Sequence, residues 1–481
     1  MKRLGPWLVV LLLMLALTSL TTYQALVRYR DLASGWSWDL AFNNQWFWTI
    51  LNSDGLLTAR PISSYGIEGP SVWKMNHLGP VRLLILPIYA LWPDPRTLLV
   101  IQNVVFWWVI PAAFGLARAE SRSTAVALAS TALVPATPLL WPLVWNDFRE
   151  LQLGLPFVLW AVHGYRSRNV GLTALGIGGM LACRQEFALV TASLALVPAR
   201  KREDIGRSYR WAQAVLILGL CWQFLVFFGY LNLFMASNAP QLYMDQFTGP
   251  KAPISQTLFT SADFLLIGLG SWAILACFAP RVGILSLPWV WSLASGRWAL
   301  RYVATEQWHH VRYTLPYVAV GLAAGIVGFA QLANWLRRMV GTRSRWMLVI
   351  VWILAAAGFA WSNLKLERRF AQVEPVISRQ EAPEIWRWID RVEPEDGVLA
   401  AYEVSAPLSS RRHLYSYVLE VNRPKGFPSQ IPPRIRWVFL RNTAMPLQIL
   451  RDQGFVPVYE GKTLTIFYRE SNISVPSPKK I

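Results

Sequence analysis

Apolar residues in this chain fall into long, nearly continuous runs cut by short polar breaks. The runs are Pro6–Leu26, Leu98–Ala117, Thr124–Leu140, Leu151–Tyr165, Val170–Ala182, Phe187–Pro198, Trp211–Ala236, Ala262–Ala279, Val282–Ala294, Leu315–Leu336 and Trp346–Asn363. Several approach the roughly 20 residues that a bilayer-crossing helix needs, so the pattern predicts about eleven membrane spans. Pro80–Trp92 is apolar but short and flanked by proline, and reads as a helix on or dipping into the outer face. Beyond residue 363 the pattern changes. Ala382–Val392 has a helical period, and Met445–Gln453 reads as a second short helix. Val398–Tyr402, Arg436–Leu440, Phe455–Tyr459 and Leu464–Tyr468 read as strands. The expectation is an α-helical polytopic membrane protein with a small C-terminal α/β domain. Its parts are a transmembrane domain over 1–363 with a first outer loop over 27–97, an extracytoplasmic domain over 364–470, and a flexible tail over 471–481.

Composition agrees with a bilayer setting. The chain is 54% hydrophobic and only 15% charged, against roughly 25% charged in soluble domains. Its 26 tryptophans suit membrane interfaces. The formal charge of +19 would suit nucleic acid, but much of it lies in short clusters between apolar runs. Arg118 and Arg122, Arg166 and Arg168, Arg200-Lys201-Arg202, Arg281, and Arg337 through Arg345 all fall on one side of the alternating spans. That is the positive-inside pattern, and it argues for the bilayer and against nucleic acid as the partner. The run after Met1-Lys2-Arg3 is longer than a signal-peptide core and lacks an A-x-A-like cleavage site, so it reads as a retained helix with a cytoplasmic N-terminus. The tail domain then lies outside the cytoplasm. The three cysteines, Cys183, Cys221 and Cys277, lie in apolar segments, and the five histidines show no metal-binding spacing.

Candidate chemistry follows from polar residues in apolar surroundings, which are costly and by default functional. Asp39 lies among Trp36, Trp38 and Trp46-Phe47-Trp48, just past the first span. It suits a general base, or more plainly a hydrated loop acid or helix cap. His77 precedes Gly79-Pro80 and suits phosphate contact or proton transfer, or a capping role. Asp147, Arg149 and Glu150 stand between two apolar runs, and Arg184-Gln185-Glu186 interrupts what is otherwise one. Ion pairs Asp147–Arg149 and Arg184–Glu186 are the structural alternative to a ligand site. The outer loop Ser295–Tyr313 adds Arg297, Arg301, Glu306, His309, His310 and Arg312. Arginine suits phosphate because its planar fork donates two parallel bonds. Snorkelling at the interface is the plain alternative for each.

Trp38-Asp39-Leu40 with Gln45-Trp46, then His77-Leu78-Gly79-Pro80, then Asp147–Glu150, then Cys183-Arg184-Gln185-Glu186-Phe187-Ala188-Leu189 occur in that order. In the tail, Val392-Glu393-Pro394-Glu395-Asp396-Gly397-Val398 leads to Ala406-Pro407-Leu408-Ser409-Ser410-Arg411. In these residues the chain resembles a family of bacterial multipass membrane proteins related to the GT-C, polyprenyl-phosphate-dependent glycosyltransferases. Two motifs depart from the family pattern. Arg149-Glu150 stands where His-Pro-Glu is usual, and Arg184-Gln185-Glu186 where Lys-Glu-Asp is usual.

The resemblance implies a GT-C-like fold in a bacterial inner membrane and transfer of a sugar from a polyprenyl-phosphate donor on the outer face. The acceptor class, whether glycan, lipid or protein, stays open. It places Asp39 at the position of the catalytic acidic residue, and on this reading His77 would contact the phosphate or assist Asp39. On this reading Arg184, with Arg149 or Arg312, would neutralise the departing phosphate. His309 and His310 join this phosphate-binding set. It leaves Asp147, Glu150 and Glu186 as supporting acids. The two glutamates orient the arginines or hold a divalent cation, the one cofactor left open. Two other readings use the same residues. One is a lipid or saccharide transporter or flippase, against which the charges gather on one face and no inverted repeat shows. The other is a protein that binds polyprenyl lipid without catalysis.

Overall fold

The computed structural model describes residues 4–33, 37–52, 63–64, 78–145, 147–198, 205–230, 266–288, 311–312, 314–370, 376–417, 430–442 and 447–470. Two compact units divide the chain. One comprises Met1–Gln24, Asn76–Ile85 and Val100–Glu374, the other Ala25–Met75, Leu86–Leu99 and Pro375–Ile481.

The first unit is helical. Leu315–Val340 is its most enclosed long helix, buried at every position from Leu315 to Ala330. Gly321, Gly325 and Gly328 recur at helical spacing, and an added methyl at each would strike Leu269, Trp272 and the Leu275 carbonyl oxygen respectively. Small residues thus let two backbones approach, the usual basis of helix association where lipid removes the hydrophobic drive. Glu150–Ser167 and Val170–Cys183 pair in the same way, since a methyl at Gly176 would strike the Ala161 backbone. Polar side chains tie further helices. Trp272 Nε1 donates to Thr137 Oγ1 at 2.8 Å, Ser271 Oγ to the Ala355 carbonyl at 2.7 Å, and Asn363 Nδ2 to the Ala136 carbonyl at 2.8 Å. Before that stretch Gly270 has φ +56° and ψ −137°, a region open essentially to glycine alone.

Among the described residues five helices are long and apolar enough to cross a membrane: Gly5–Arg30, Pro95–Ser121, Tyr209–Tyr230, Leu315–Val340 and Ser344–Glu367. Thr124–Ala136, Val170–Cys183 and Phe187–Leu196 are apolar but shorter. This set does not establish the expected count of about eleven. Proline accounts for part of the difference. It removes a helical donor and clashes with the preceding turn. The expected Thr124–Leu140 run is helical only to Leu133, passes through a 3-10 turn over Val134–Ala136, and resumes as a separate helix at Leu140–Trp145. Pro111 coincides with the interruption at Trp108 inside Pro95–Ser121. Most of the Ser295–Tyr313 loop, and the ends of the runs at Ala236 and Ala294, lie outside the described residues. Two helices of this unit end on arginine in the left-handed conformation, Arg122 at φ 53° and Arg168 at φ 56°. A side chain there costs about 1–2 kcal/mol, which glycine avoids.

The second unit contains a six-stranded mixed sheet in the order β1-β3-β2-β4-β6-β5. The strands are β1 (Ser63–Ser64), β2 (Gly397–Ala401), β3 (Leu414–Tyr417), β4 (Ile435–Arg441), β5 (Val456–Glu460) and β6 (Leu464–Tyr468). β1, β3, β2 and β4 run parallel, while β6 is antiparallel to β4 and β5. β2 is buried at every position, which fits a central parallel strand covered on both faces. Leu399, Val438, Leu440, Leu450, Phe455 and Phe467 form part of its core. Helix Ala382–Ile389 contributes buried Ala382, Ile385 and Ile389 at a spacing of three and four. The strands and helices expected in the tail are therefore present, joined by two strands the pattern did not show, β1 and β3.

Candidate functional site

The first unit buries a cluster of charge where three chain segments meet. Pro80 starts the turn into helix Val81–Tyr89, and Arg82 follows one residue into it. Its Nη2 lies 3.0 Å from Glu150 Oε2, with side chains 7% and 3% exposed. Glu150 opens the helix Glu150–Ser167. Val170–Cys183 ends at Arg184, whose extended backbone (φ −164°, ψ 147°) turns the chain before Phe187 starts the next helix. Arg184 Nε reaches both oxygens of the Glu186 carboxylate at 3.1 Å. Arg184 and Arg149 also act electrostatically on Glu150. Backbone fit holds the segments together. A methyl at Gly79 would sit 2.9 Å from Glu150 Cγ and 3.2 Å from the Cys183 carbonyl oxygen. The Leu78 N–H donates to Gln185 Oε1 at 2.8 Å.

The irregular stretch before Glu150 is buried too. Asp147 is 9% exposed and Phe148 is fully buried. Carboxamides of neighbouring helices receive its backbone, for the Arg149 N–H donates to Gln102 Oε1 at 3.0 Å and to Gln152 Oε1 at 3.1 Å. Gln152 Nε2 in turn donates to the Leu143 carbonyl at 2.6 Å. Arg312 is 8% exposed, just ahead of Leu315–Val340. His77, His309 and His310 lie outside the described residues.

An apolar cavity of about 430 Å³ is lined by Pro80, Ile177, Leu181, Ala182, Trp211 and Trp222, among others. Pro80 adjoins Gly79, and Ala182 precedes Cys183-Arg184. One end of an apolar trough is thus built from residues next in sequence to the buried charges. An acyl or prenyl chain suits such apolar walls, and a guanidinium suits a phosphate. A divalent cation does not suit this place. Among the described residues no three His, Cys, Asp or Glu gather as metal ligands. Glu150 and Glu186 each face an arginine at 3.0–3.1 Å, so a cation beside them would meet like charge.

Asp39 belongs to the second unit. It is 5% exposed, in the first turn of helix Ser37–Asn52, where an acid is favoured by the helix dipole. The same helix is hydrogen-bonded to the tail. Asn44 Nδ2 donates to Ser409 Oγ at 2.8 Å and to Ser410 Oγ at 3.2 Å. Tyr89 Oη donates to Asn44 Oδ1 at 2.6 Å. Gln45 Nε2 donates to the Arg411 carbonyl at 3.0 Å. Arg411 itself donates to the carbonyls of Leu408, Glu393 and Asp396 at 2.6, 3.0 and 3.2 Å. Burial pushes its guanidinium down to about 10, against the pull of Asp396 and Glu395, so it stays charged at neutral pH. Asp396 is held by Trp437 Nε1 at 2.8 Å and Arg436 Nη1 at 2.9 Å.

Of the residues expected from sequence, the structure gathers Glu150, Arg184 and Glu186 in one cluster, and the ion pair Arg184–Glu186 is present. Arg82 was not anticipated, though a single charge inside the apolar run Pro80–Trp92 was its signal. Asn44 was missed as well, since nothing local marks a partner 365 residues away.

Two solved structures of ArnT from Cupriavidus metallidurans share this fold at 11% sequence identity. The form bound to undecaprenyl phosphate superposes with a TM-score of 0.56, over 97% of this chain and 99% of that one. The apo form gives 0.54, over 99% and 100%. No curated protein matches significantly. One family model spans residues 28–454, most of the chain. The membrane-protein family to which the motifs pointed is borne out, with a fold shared with ArnT, and the chain belongs to the family described as Predicted membrane protein (DUF2079).

Proposed function

We infer that this protein is a membrane glycosyltransferase of the bacterial inner membrane. It moves a sugar from a polyprenyl-phosphate donor to a glycan, lipid or protein acceptor on the extracytoplasmic face. The observation that carries the reading is the buried Arg184, two residues beyond Ala182 in the wall of an apolar cavity of about 430 Å³, in a fold shared with a protein that holds undecaprenyl phosphate. Asp39 takes the acceptor hydroxyl proton. The acceptor oxygen bonds to the anomeric carbon as the carbon–oxygen bond to phosphate breaks. Charge growing on the departing polyprenyl phosphate is neutralised by Arg184, with Arg149 or Arg312. Preorganised stabilisation of this kind is usually the largest catalytic contribution. His77 assists Asp39 or the phosphate, with His309 and His310 in the same phosphate-binding set. Asp147, Glu150 and Glu186 support the arginines, and the tail domain takes part in acceptor binding. With the about eleven spans expected from the sequence and a cytoplasmic N-terminus, the tail domain would lie outside.

One observation favours a second reading, lipid binding without transfer. Arg82 and Arg184 already face Glu150 and Glu186, so a phosphate must compete with carboxylates. Sugar transfer by membranes containing wild type or Asp39→Asn, matched in expression and offered a panel of polyprenyl-phosphate sugars, separates the two. Transfer lost in the variant supports the transferase. Transfer unchanged removes Asp39 from the mechanism. Retention of polyprenyl phosphate with no transfer from any donor favours binding alone.

A further inference from the structure

A second cavity, of about 750 Å³, lies elsewhere in the first unit. Its wall carries Arg122, Arg166, Arg281, Arg337 and Arg338, with Glu120 the one acid among the described lining residues. Arg166 is taken up by that acid. Its Nε and Nη2 meet the two Glu120 oxygens at 2.8 and 2.9 Å, and the pair is about 95% buried. Arg337 Nη1 spends one donor on the Ser121 carbonyl at 3.2 Å. Arg122, Arg281 and Arg338 are exposed and leave the wall strongly positive.

Arg122 caps one helix, Arg337 and Arg338 lie in the last turn of another, and all follow the positive-inside pattern, which alone explains basic residues at this level. It does not explain their convergence. Snorkelling side chains spread outward to water, whereas these four come from three separate segments and line one concavity. Arg122 does so from a left-handed backbone position that favours glycine. A charged cleft with low-dielectric walls concentrates ions of opposite sign, and guanidinium forks match phosphate oxygens in pairs. The volume lies in the usual range for small-ligand sites.

We propose that the cavity bounded by Arg122, Arg281, Arg337 and Arg338 is an anion site for a phosphate group. The topology read from basic clusters puts it on the cytoplasmic side, apart from the donor chemistry above, and the proposal does not depend on that chemistry. The phosphate comes from an anionic phospholipid headgroup or from a soluble phosphate compound.

The purified full chain in nanodiscs decides between them. Native mass spectrometry measures retained phosphatidylglycerol or cardiolipin against phosphatidylcholine, and calorimetry measures inorganic pyrophosphate binding. Wild type is expected to bind one of these anions saturably, weakening as salt is raised. Arg122→Gln, Arg281→Gln and Arg338→Gln combined should weaken it about 100-fold, at roughly fivefold per arginine. The control is Arg343→Gln with Arg345→Gln, which removes charge outside the cavity lining and should leave binding within about twofold of wild type. Lipid retention alone assigns a headgroup, and pyrophosphate binding alone assigns a soluble ligand. No saturable binding of either by wild type overturns the proposal, as does an equal loss in the control. The wild-type titration stands even if the triple variant fails to fold.

Discussion

The Arg82–Glu150 pair gives the sharpest test of how this fold holds its charges. Arg82→Met removes a guanidinium from within 3.0 Å of a carboxylate that is 3% exposed. Breaking a buried pair by deleting one partner costs about 3–5 kcal/mol, since the remaining charge is left desolvated. Arg184 and Arg149 still act on Glu150, so the cost belongs near the lower end, about 3 kcal/mol. Arg82→Met with Glu150→Leu removes both charges and replaces them with apolar volume, and such exchanges are often neutral or stabilising. The double variant is therefore expected within ~1 kcal/mol of wild type and clearly above either single variant. Denaturant titration in detergent, followed by tryptophan emission, measures all four corners of the cycle. Single losses that simply add, or an Arg82→Met protein as stable as wild type, would refute the buried pair as a structural unit. A stable double variant that no longer retains polyprenyl phosphate would place the pair in ligand binding as well.

Two further outcomes follow from packing and polar satisfaction. Gly328→Val should destabilise by about 3 kcal/mol or more, because even a methyl there meets the Leu275 carbonyl oxygen. Gly178→Ala, which meets nothing within 4 Å, should be neutral or gain up to ~1 kcal/mol; melting curves in one detergent that rank the two variants equally would sink the close-approach argument. Asn44→Ala leaves Tyr89, Ser409 and Ser410 without their buried partner, a loss of about 1–3 kcal/mol. It should speed proteolysis within the tail, whereas Asn52→Ala, at an exposed hydrogen bond, should not.

Local pattern revealed those parts whose partners lie nearby or whose surroundings are uniform. The Ala382–Ile389 helix shows its period because one face meets a sheet and the other meets water. β4, Ile435–Arg441, is apolar and branched enough to read as a buried strand. β3 was hidden because Leu414–Tyr417 follows Arg411-Arg412 and pairs in parallel with β2, a non-local arrangement that leaves no turn signature. β1 has only two residues and pairs with β3 from far along the chain. The apolar runs gave helix positions well and continuity poorly, since Pro135 stops a helix inside a run of unchanged hydropathy. In the site, Arg184-Gln185-Glu186 was visible because three polar residues break an apolar stretch. Arg82 was not, because one charge in a short helix reads as interfacial until Glu150 is seen 3.0 Å away.

The family-like motifs divide by physical role once their bonds are known. Gln45 and the Ser409-Ser410-Arg411 stretch are joined by hydrogen bonds within the second unit, with Asn44 adding two more. They therefore specify how the tail meets the helix that carries Asp39, and need not touch a substrate to matter. Gly79, Glu150, Arg184 and Gln185 form the other set, in which a glycine, an ion pair and a carboxamide hold three segments together. Here structure and chemistry compete for the same atoms. A guanidinium that binds phosphate must leave, or share, the carboxylate it is buried against. Glu186 facing Arg184, and Glu150 facing Arg82, hold each arginine in place at low dielectric, where moving it to a phosphate exchanges one ion pair for another instead of stripping water from a bare charge. Under the proposed function, the same pairs that let charge be buried in a membrane protein hold it ready for an anionic headgroup.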